Sequence, residues 1–522
     1  MSKVRVLACD GIHADGLAQL RAAGYDVKES AALKSDELSS ALAGVDVLLV
    51  RSATKVDAAS LGAADALKVI GRAGAGVDTI DVDAATSRGI AVMNAPDGNT
   101  LAAAEQALAL LFAVARHTPF ADTRMKAGEW PKGNLTGFEM EGKRLAVVGL
   151  GRIGSTVARK ARGLGMEVAA YDPHLPPSAA QRLDIALRPL EDLLAWCDIV
   201  TLHMPLTDET RNVLSEARMR SMRRGAVVIN AARGGLVDEA ALIKLLDEGH
   251  LAAAGLDVFE TEPLPADSAL RQCKKLVLTP HLGASTGEAQ RAVSTILAKQ
   301  VVDYLENGTV SGCVNLPPLP PEMVQELGPL MPLMRALGRL SARLVAAPTR
   351  VSVSYAGRFE GVDTRPLTRL FLAEFLSQTT RSITPVNALD AAAARGLQVS
   401  ETIGGAADGF DRLVCVSIDS ERVHRQIEAT LHRGPRVVRL DGVEIEFDPR
   451  AHLLLLRNVD RPGMIGLIGT HLGVAGVNII NFTLGSTGEG HALAAITVDR
   501  HIDDALVTAL RGVSGVIELE RV

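Results

Sequence analysis

Residues 147–156 read "VVGLGRIGST", and this stretch decides what the first half of the chain is. The apolar run "RLAVV" leads into it, and "GSTVARKARGLG" leads out with the pattern of a helix. Between them, Gly149, Gly151 and Gly154 satisfy G-x-G-x-x-G. The first glycine permits a tight turn, the second lets backbone approach a pyrophosphate, and the third lets helix pack on strand. The helix N-terminus then offers free N–H groups to phosphate. Asp172 closes the next strand-like run, "MEVAAYD", eighteen residues past Gly154. A carboxylate there accepts hydrogen bonds from an adenosine ribose and repels a 2′-phosphate, so the expected cofactor is NAD.

A second glycine-rich stretch, "VIGRAGAGVD" at 69–78, has its glycines in the other order, G-x-x-G-x-G at Gly71, Gly74 and Gly76. The acidic "VDTIDVDAA" that follows does not open a helix at once. Such a loop still exposes backbone N–H groups that can cradle an anion. Arg72 lies inside it, and Arg51 ends the preceding strand-like run "LLVRSATKV". Either two arginines and a loop of amides hold an anionic substrate, or two surface arginines flank a tight turn.

Around these loops the first 310 residues alternate strand-like and helical patterns, as parallel sheets require. One series ("VRVLACD", "VDVLLVRS", "LKVIGRAG", "IAVMNAP") is followed by an Ala-rich helix from about Thr100 to His117. A second series follows ("RLAVVGLG", "MEVAAYD", "CDIVTLHMP", "GAVVINAAR", "LAAAGLDVFE", "LVLTPHLG"), and then a helix at 286–306 that could cross back to the first. "NLPPLPPEM", 315–323, is a proline-rich linker. Residues 350–450 mix strands ("TRVSVSY", "RLVCVSID", "VRLDGVEIEF") with helices, and the last 70 residues read βαββαβ, a ferredoxin-like order.

Composition narrows the function. The 522 residues are 47% hydrophobic but only 3% aromatic, which suits helices packed closely on parallel strands. A net charge of −6 without a basic block argues against nucleic acid. The five cysteines have no paired spacing and read as buried, reduced thiols of a cytoplasmic protein, with no metal site. "KVRVLACD" reads as a first strand and not a leader, and "ALALLFAVA" at 107–115 is too short to span a bilayer, so no membrane role is expected.

A dehydrogenase acting on a hydroxyl needs a base, a cation for carboxylate or carbonyl, and a nicotinamide site. The second series ends its strands with suitable residues: His203, Arg233, Asp257, Glu260, Glu262 and His281. Ligands bind at such carboxyl edges. His281 is the expected base, Glu262 its orienting carboxylate, and Arg233 a bidentate cation. A core histidine and surface charges are the alternative for any one of them alone.

"VVGLGRIGS", "YDP", "NAARGGLVDEAAL", "GLDVFETEP" and "TPHLGAST" together resemble the D-2-hydroxyacid dehydrogenase family over residues 1–310. "GRAGAGVDTIDVDAA", the proline linker and the two C-terminal regions extend the resemblance, over the whole chain, to its long-form phosphoglycerate dehydrogenase branch. The resemblance implies two doubly wound α/β domains, a Rossmann-type NAD domain (98–285) inserted in a flavodoxin-like substrate domain (1–97 and 286–314). An α+β intervening domain (318–450) and a ferredoxin-like ACT domain (452–522) would follow. It implies oxidation of 3-phosphoglycerate, the first step of serine synthesis, with Arg233, Glu262 and His281 catalytic. It carries nucleotide contacts onto Gly149, Gly151, Arg152, Ile153, Gly154, Asp172, Ala231, Asp257, His281 and Gly283. Substrate contacts fall on Arg51, Arg72, Gly74, Gly76 and Arg233, with Ala75 edging the nicotinamide. Lys132 could add a charge across a dimer interface. Asn458, Asp460 and Asn478 fall at serine-effector positions, unless the ACT-like unit only dimerises. Arg433, Arg436 and Arg439 read as a solvated face and not an anion site. A homodimer or homotetramer is expected. Rival readings are an enzyme for hydroxypyruvate, glyoxylate or D-lactate, and an NAD-sensing regulatory protein such as a corepressor.

Overall fold

A computed structural model describes residues 3–377, 383–487 and 490–522. The first sheet is wholly parallel, with Asp26–Glu29, Arg5–Ala8, Val47–Val50, Val69–Arg72 and Ala91–Asn94 side by side in that order. Its central strand is apolar and buried at every residue ("VLLV"), because helices cover both faces. The second sheet is also parallel and has seven strands: Leu276–Leu278, Leu251–Leu256, Ala226–Asn230, Ile199–Leu202, Arg144–Val148, Glu167–Tyr171 and Ala186–Leu187. Its order reverses between Ile199–Leu202 and Arg144–Val148, and the G-x-G-x-x-G loop lies at that switch point.

Two helices join the sheets. Thr100–Ala115 buries Ala107, Leu110, Leu111 and Val114 against Leu145, Val147, Ile199 and Ile229 of the second sheet. Gly287–Asn307 returns to the first sheet, where Val293, Leu297 and Val301 meet Val6, Leu49 and Val69. The Thr286 side chain accepts the Ala289 N–H at its start, and Gly308 (φ 70°) ends it. A Cβ on Gly16 would lie 2.6 Å from the Ser294 carbonyl oxygen, so Ala14–Ala22 can pack on this helix only with glycine there.

The proline stretch is not a free linker. Asn315 accepts the Val92 N–H and donates to Thr86 and Ile90, pinning the segment to the first sheet, and Pro321–Leu327 is already helical. Proline at a first helical position suits that start. Beyond it, a mixed six-stranded sheet runs Gln398–Ile403, Arg350–Gly357, Arg412–Asp419, His424–Leu431, Pro435–Leu440 and Val443–Phe447. "VRLDGVEIEF", read as one strand, is a hairpin. Asp441 (φ 51°) and Gly442 (φ 79°) form the Asp-Gly turn that matches strand twist.

The last sheet has the order Ile479–Ser486, His491–Val498, His452–Val459, Val516–Arg521, all antiparallel. Met464–Val474 and Asp504–Arg511 cover one face. Leu453, Leu455, Leu493 and Ala495 on the other face join the core of the mixed sheet. A half-buried ion cluster ties the two units. Arg425 pairs with Asp441 (2.6 Å) and Glu518 (2.5 Å), and Arg457 reaches Asp441 (3.4 Å).

Candidate active site

The carboxyl edges of the two parallel sheets face one cleft, a cavity of about 270 Å³. Arg51, Arg72, Gly74, Ala75 and Gly76 line it from the first sheet. Ile153, Ala231, Arg233, His281 and Gly283 line it from the second, together with His203.

His281 sits at φ 54°, and its Nδ1 lies 2.7 Å from Glu262 Oε2. An ionised carboxylate only accepts, so Nδ1 carries the proton and Nε2 is left for a substrate. Burial raises the Glu262 carboxyl, but the hydrogen bond and charge interaction with His281 outweigh it and hold the group below its ordinary value. Glu262 Oε1 also accepts the Phe259 N–H at 3.0 Å, which fixes the carboxylate plane.

Asp257 lies behind this pair, fully buried. Its carboxylate accepts from Gln106 Nε2 (3.2 Å), Thr279 Oγ1 (2.5 Å) and the N–H groups of Leu282 (2.8 Å) and Gly283 (2.9 Å). A buried carboxylate needs such donors. This one fastens the turn that carries His281 and does not line the cleft. Gln106, on the Thr100–Ala115 helix, had no sequence signal beyond its place on a helix that crosses between the sheets.

The anion side is more crowded than its sequence suggests. Arg233 Nε lies 3.1 Å from Asp78, and its Nη1 donates to Ala232 O at 2.7 Å. Arg72 donates from Nη1 to Gly76 O (2.5 Å) and from Nε to Arg51 O (3.4 Å), so it braces both loops as well as facing the cleft. Burial pulls the Arg72 guanidinium below its ordinary value, Asp78 opposes this, and Arg233 and Arg51 add to it. Asp78 was missed in the sequence because "VDTIDVD" offers three aspartates and no reason to prefer one.

Gly149 (φ 94°) and Gly154 are sterically required. A Cβ on Gly149 would lie 2.5 Å from His203 O, and one on Gly154 would overlap Gly149 O. Gly151 instead faces open space, with nothing within 4 Å, just before the helix Arg152–Gly163. That opening and the free helix N-terminus fit a dinucleotide pyrophosphate. Asp172 accepts the N–H groups of Leu150, His174 and Leu175, so it also shapes the loop. Arg152 pairs with Asp97 (2.6 Å) across the two sheets.

A family model for the NAD-binding domain of D-isomer specific 2-hydroxyacid dehydrogenases matches residues 108–283, and one for the D-3-phosphoglycerate dehydrogenase intervening domain matches 326–441. The chain is 37% identical to the D-3-phosphoglycerate dehydrogenase of Bacillus subtilis (strain 168) over 99% of each chain. It is 36% identical to that of Methanocaldococcus jannaschii over 98% of each. The chain belongs to the D-3-phosphoglycerate dehydrogenase family. Among solved structures, TT0316 protein from Thermus thermophilus is 36% identical with a TM-score of 0.55, covering 59% of this chain and 99% of its own. A glyoxylate reductase from Paecilomyes thermophila is 30% identical with a TM-score of 0.55, covering 60% and 99%. NAD is the cofactor of this D-3-phosphoglycerate dehydrogenase family member.

Two expectations need correction: the uniform burial of the cysteines and the solvated face at Arg433, Arg436 and Arg439. Lys132 is exposed on a short turn, as a residue reaching a partner subunit would be, and Glu260 does not line the cleft. Cys9 and Cys197 are buried, with thiols pushed up by burial to about 11 and about 12, but Cys273, Cys313 and Cys415 are only partly buried. Arg436 pairs with Glu446 and Asp448, and Arg439 with Glu428 and Asp408, so only Arg433 is a plainly solvated arginine of the three. In the C-terminal unit, Asn458 and Asp460 line a cavity of about 360 Å³ with Arg461. Asn478 is not part of it; its N–H donates to Asp499 instead. No helix among the described residues is long and apolar enough to cross a membrane.

Proposed function

We propose that the protein oxidises 3-phospho-D-glycerate to 3-phosphohydroxypyruvate, the first step of L-serine synthesis, with Arg233, Glu262 and His281 at the reacting end. The observation that carries the reading is His281, backed by Glu262, in one cleft with three arginines. His281 Nε2 takes the C2 hydroxyl proton, and Glu262 holds the other ring nitrogen and stabilises the imidazolium. Arg233 takes the carboxylate and carbonyl end. Arg51, Arg72 and the amides of Gly74 and Gly76 take the phosphate, and its binding energy helps fix the reacting geometry. The glycine loop, Ile153, Ala231 and Gly283 hold the dinucleotide. NAD, when bound, accepts the hydride from C2.

In this reading residues 1–97 and 286–314 bind substrate, 98–285 bind NAD, 318–450 form the intervening domain and 452–522 an ACT-type regulatory domain. The cavity at Asn458 and Asp460 would take L-serine, amide to carboxylate and acid to ammonium. A homodimer or homotetramer would cover the exposed apolar residues of this unit, Ile465, Val474 and Ile480. The five free thiols suit a reducing, cytoplasmic setting.

The test is NADH oxidation with 3-phosphohydroxypyruvate and with hydroxypyruvate, each with and without L-serine. Strong preference for the phosphorylated compound supports the reading, and serine inhibition supports the regulatory part. Equal or reversed preference assigns a general 2-hydroxyacid dehydrogenase, and no turnover with either assigns a regulatory protein.

A further inference from the structure

One residue past the strand Arg5–Ala8 come two consecutive left-handed residues, Asp10 (φ 63°) and Gly11 (φ 69°). L-residues enter this region rarely, and aspartate is among those that tolerate it. Here the conformation aims one carboxylate at another loop. Asp10 Oδ2 accepts the N–H groups of Arg51 (2.8 Å) and Thr54 (3.0 Å), and Oδ1 accepts the Thr54 hydroxyl (2.6 Å). Thr54 is fully buried, and its Oγ1 accepts the Leu33 N–H (3.3 Å). The loop that carries Arg51 out of Val47–Val50 is therefore held at both ends by a single side chain.

Arg51 differs from the other two arginines of the cleft. Arg72 is engaged by carbonyls and Arg233 by Asp78. Among the described residues no hydrogen bond or ion pair engages the Arg51 guanidinium, which lines the cavity. Its full set of donors is open to an anion, and the loop backbone sets where they point.

We propose that Asp10 is a positioning residue for Arg51 and through it sets the preference for a phosphorylated substrate. This rests on the reading of Arg51 as a phosphate anchor. Asp10 touches neither substrate nor cofactor; it acts by fixing the Arg51 backbone. Asparagine would keep an oxygen for the two N–H groups and present its NH₂ to the Thr54 oxygen, whereas alanine would release the loop.

The experiment compares kcat/KM for 3-phosphohydroxypyruvate and hydroxypyruvate in the full-length protein. Both substrates are read on one preparation, so partial unfolding cancels in the ratio. Asp10→Ala is expected to lower the ratio about tenfold, through KM of the phosphorylated compound, with hydroxypyruvate changed less than about twofold; a lost charge-assisted anchor has this size. Asp10→Asn should restore most of it, and Asp10→Ala should add nothing in an Arg51→Ala background. If Asp10→Ala does not fold, Thr54→Val, which keeps shape and loses the hydroxyl, should shift the ratio the same way. An unchanged ratio in Asp10→Ala or Thr54→Val beside a lowered one in Arg51→Ala overturns the positioning role alone. An unchanged ratio in Arg51→Ala overturns the phosphate-anchor reading and this proposal with it.

Discussion

Two glycine loops follow buried parallel strands at the mouth of the same cleft, and their glycines serve different neighbours. In 149–154 the neighbours are backbone: His203 O above Gly149, and Gly149 O against Gly154. In 71–76 they are side chains. A Cβ on Gly71 would lie 2.7 Å from Leu49, one on Gly74 3.2 Å from Arg72 Nη1, and one on Gly76 would overlap Arg233 and Asp78. The first loop makes room for a helix start and a pyrophosphate. The second makes room for the Arg233–Asp78 pair and the Arg72 brace. Glycine content alone does not mark a nucleotide loop; what stands where a Cβ would be does.

The largest expected effect lies at the catalytic end that both loops serve. His281→Asn should lower kcat by about 10²–10⁴, far more than it changes NADH affinity, measured by steady-state rates and NADH fluorescence. Gly76→Ala should come next. The added methyl displaces the Arg233 guanidinium, so kcat/KM for substrate should fall roughly 10–100-fold with NADH affinity within about twofold. If NADH affinity falls as well, the two loops are not separable. Asp172→Asn should weaken NADH about tenfold, the size of a lost charged hydrogen bond, and narrow its advantage over NADPH.

A separate effect, on stability and not on the cleft, depends on pH. Burial pushes the His203 imidazole down to about 4 from 6.5, and its Nδ1 has no hydrogen-bond partner among the described residues. The folded pKa is depressed, so the unfolded chain binds the proton first and stability falls as pH drops from 6.5 towards 4. At pH 5 the loss is about 2 kcal/mol relative to pH 7.5. Urea unfolding should show this acid limb in the wild type and a shallower one in His203→Asn.

The parallel sheets, the helix at Thr100–Ala115, its returning partner Gly287–Asn307 and the βαββαβ tail were legible because their patterns are local and periodic. So were His281 and Glu262, which lie at strand ends in one domain. Asp10, Asp78 and Gln106 were not. Each acts on a residue distant in sequence, or is one of several equivalent acids, and nothing in a local window selects it. The "VRLDGVEIEF" hairpin was misread because its apolar alternation hid an Asp-Gly turn that carries its own signal. Asp257 also has a structural duty that no local window shows: a buried carboxylate must be satisfied, and Gln106 with three donors of the His281 turn satisfies it.

The most direct test of the division between the loops is NADH titration of Gly151→Ala beside Gly76→Ala. Alanine at 151 meets nothing within 4 Å in the free protein, so folding should be intact. The account predicts that Gly151→Ala weakens NADH at least about tenfold, since its methyl would stand where the pyrophosphate packs, while Gly76→Ala binds NADH like the wild type. NADH binding unchanged in Gly151→Ala, or lost in Gly76→Ala, would contradict it.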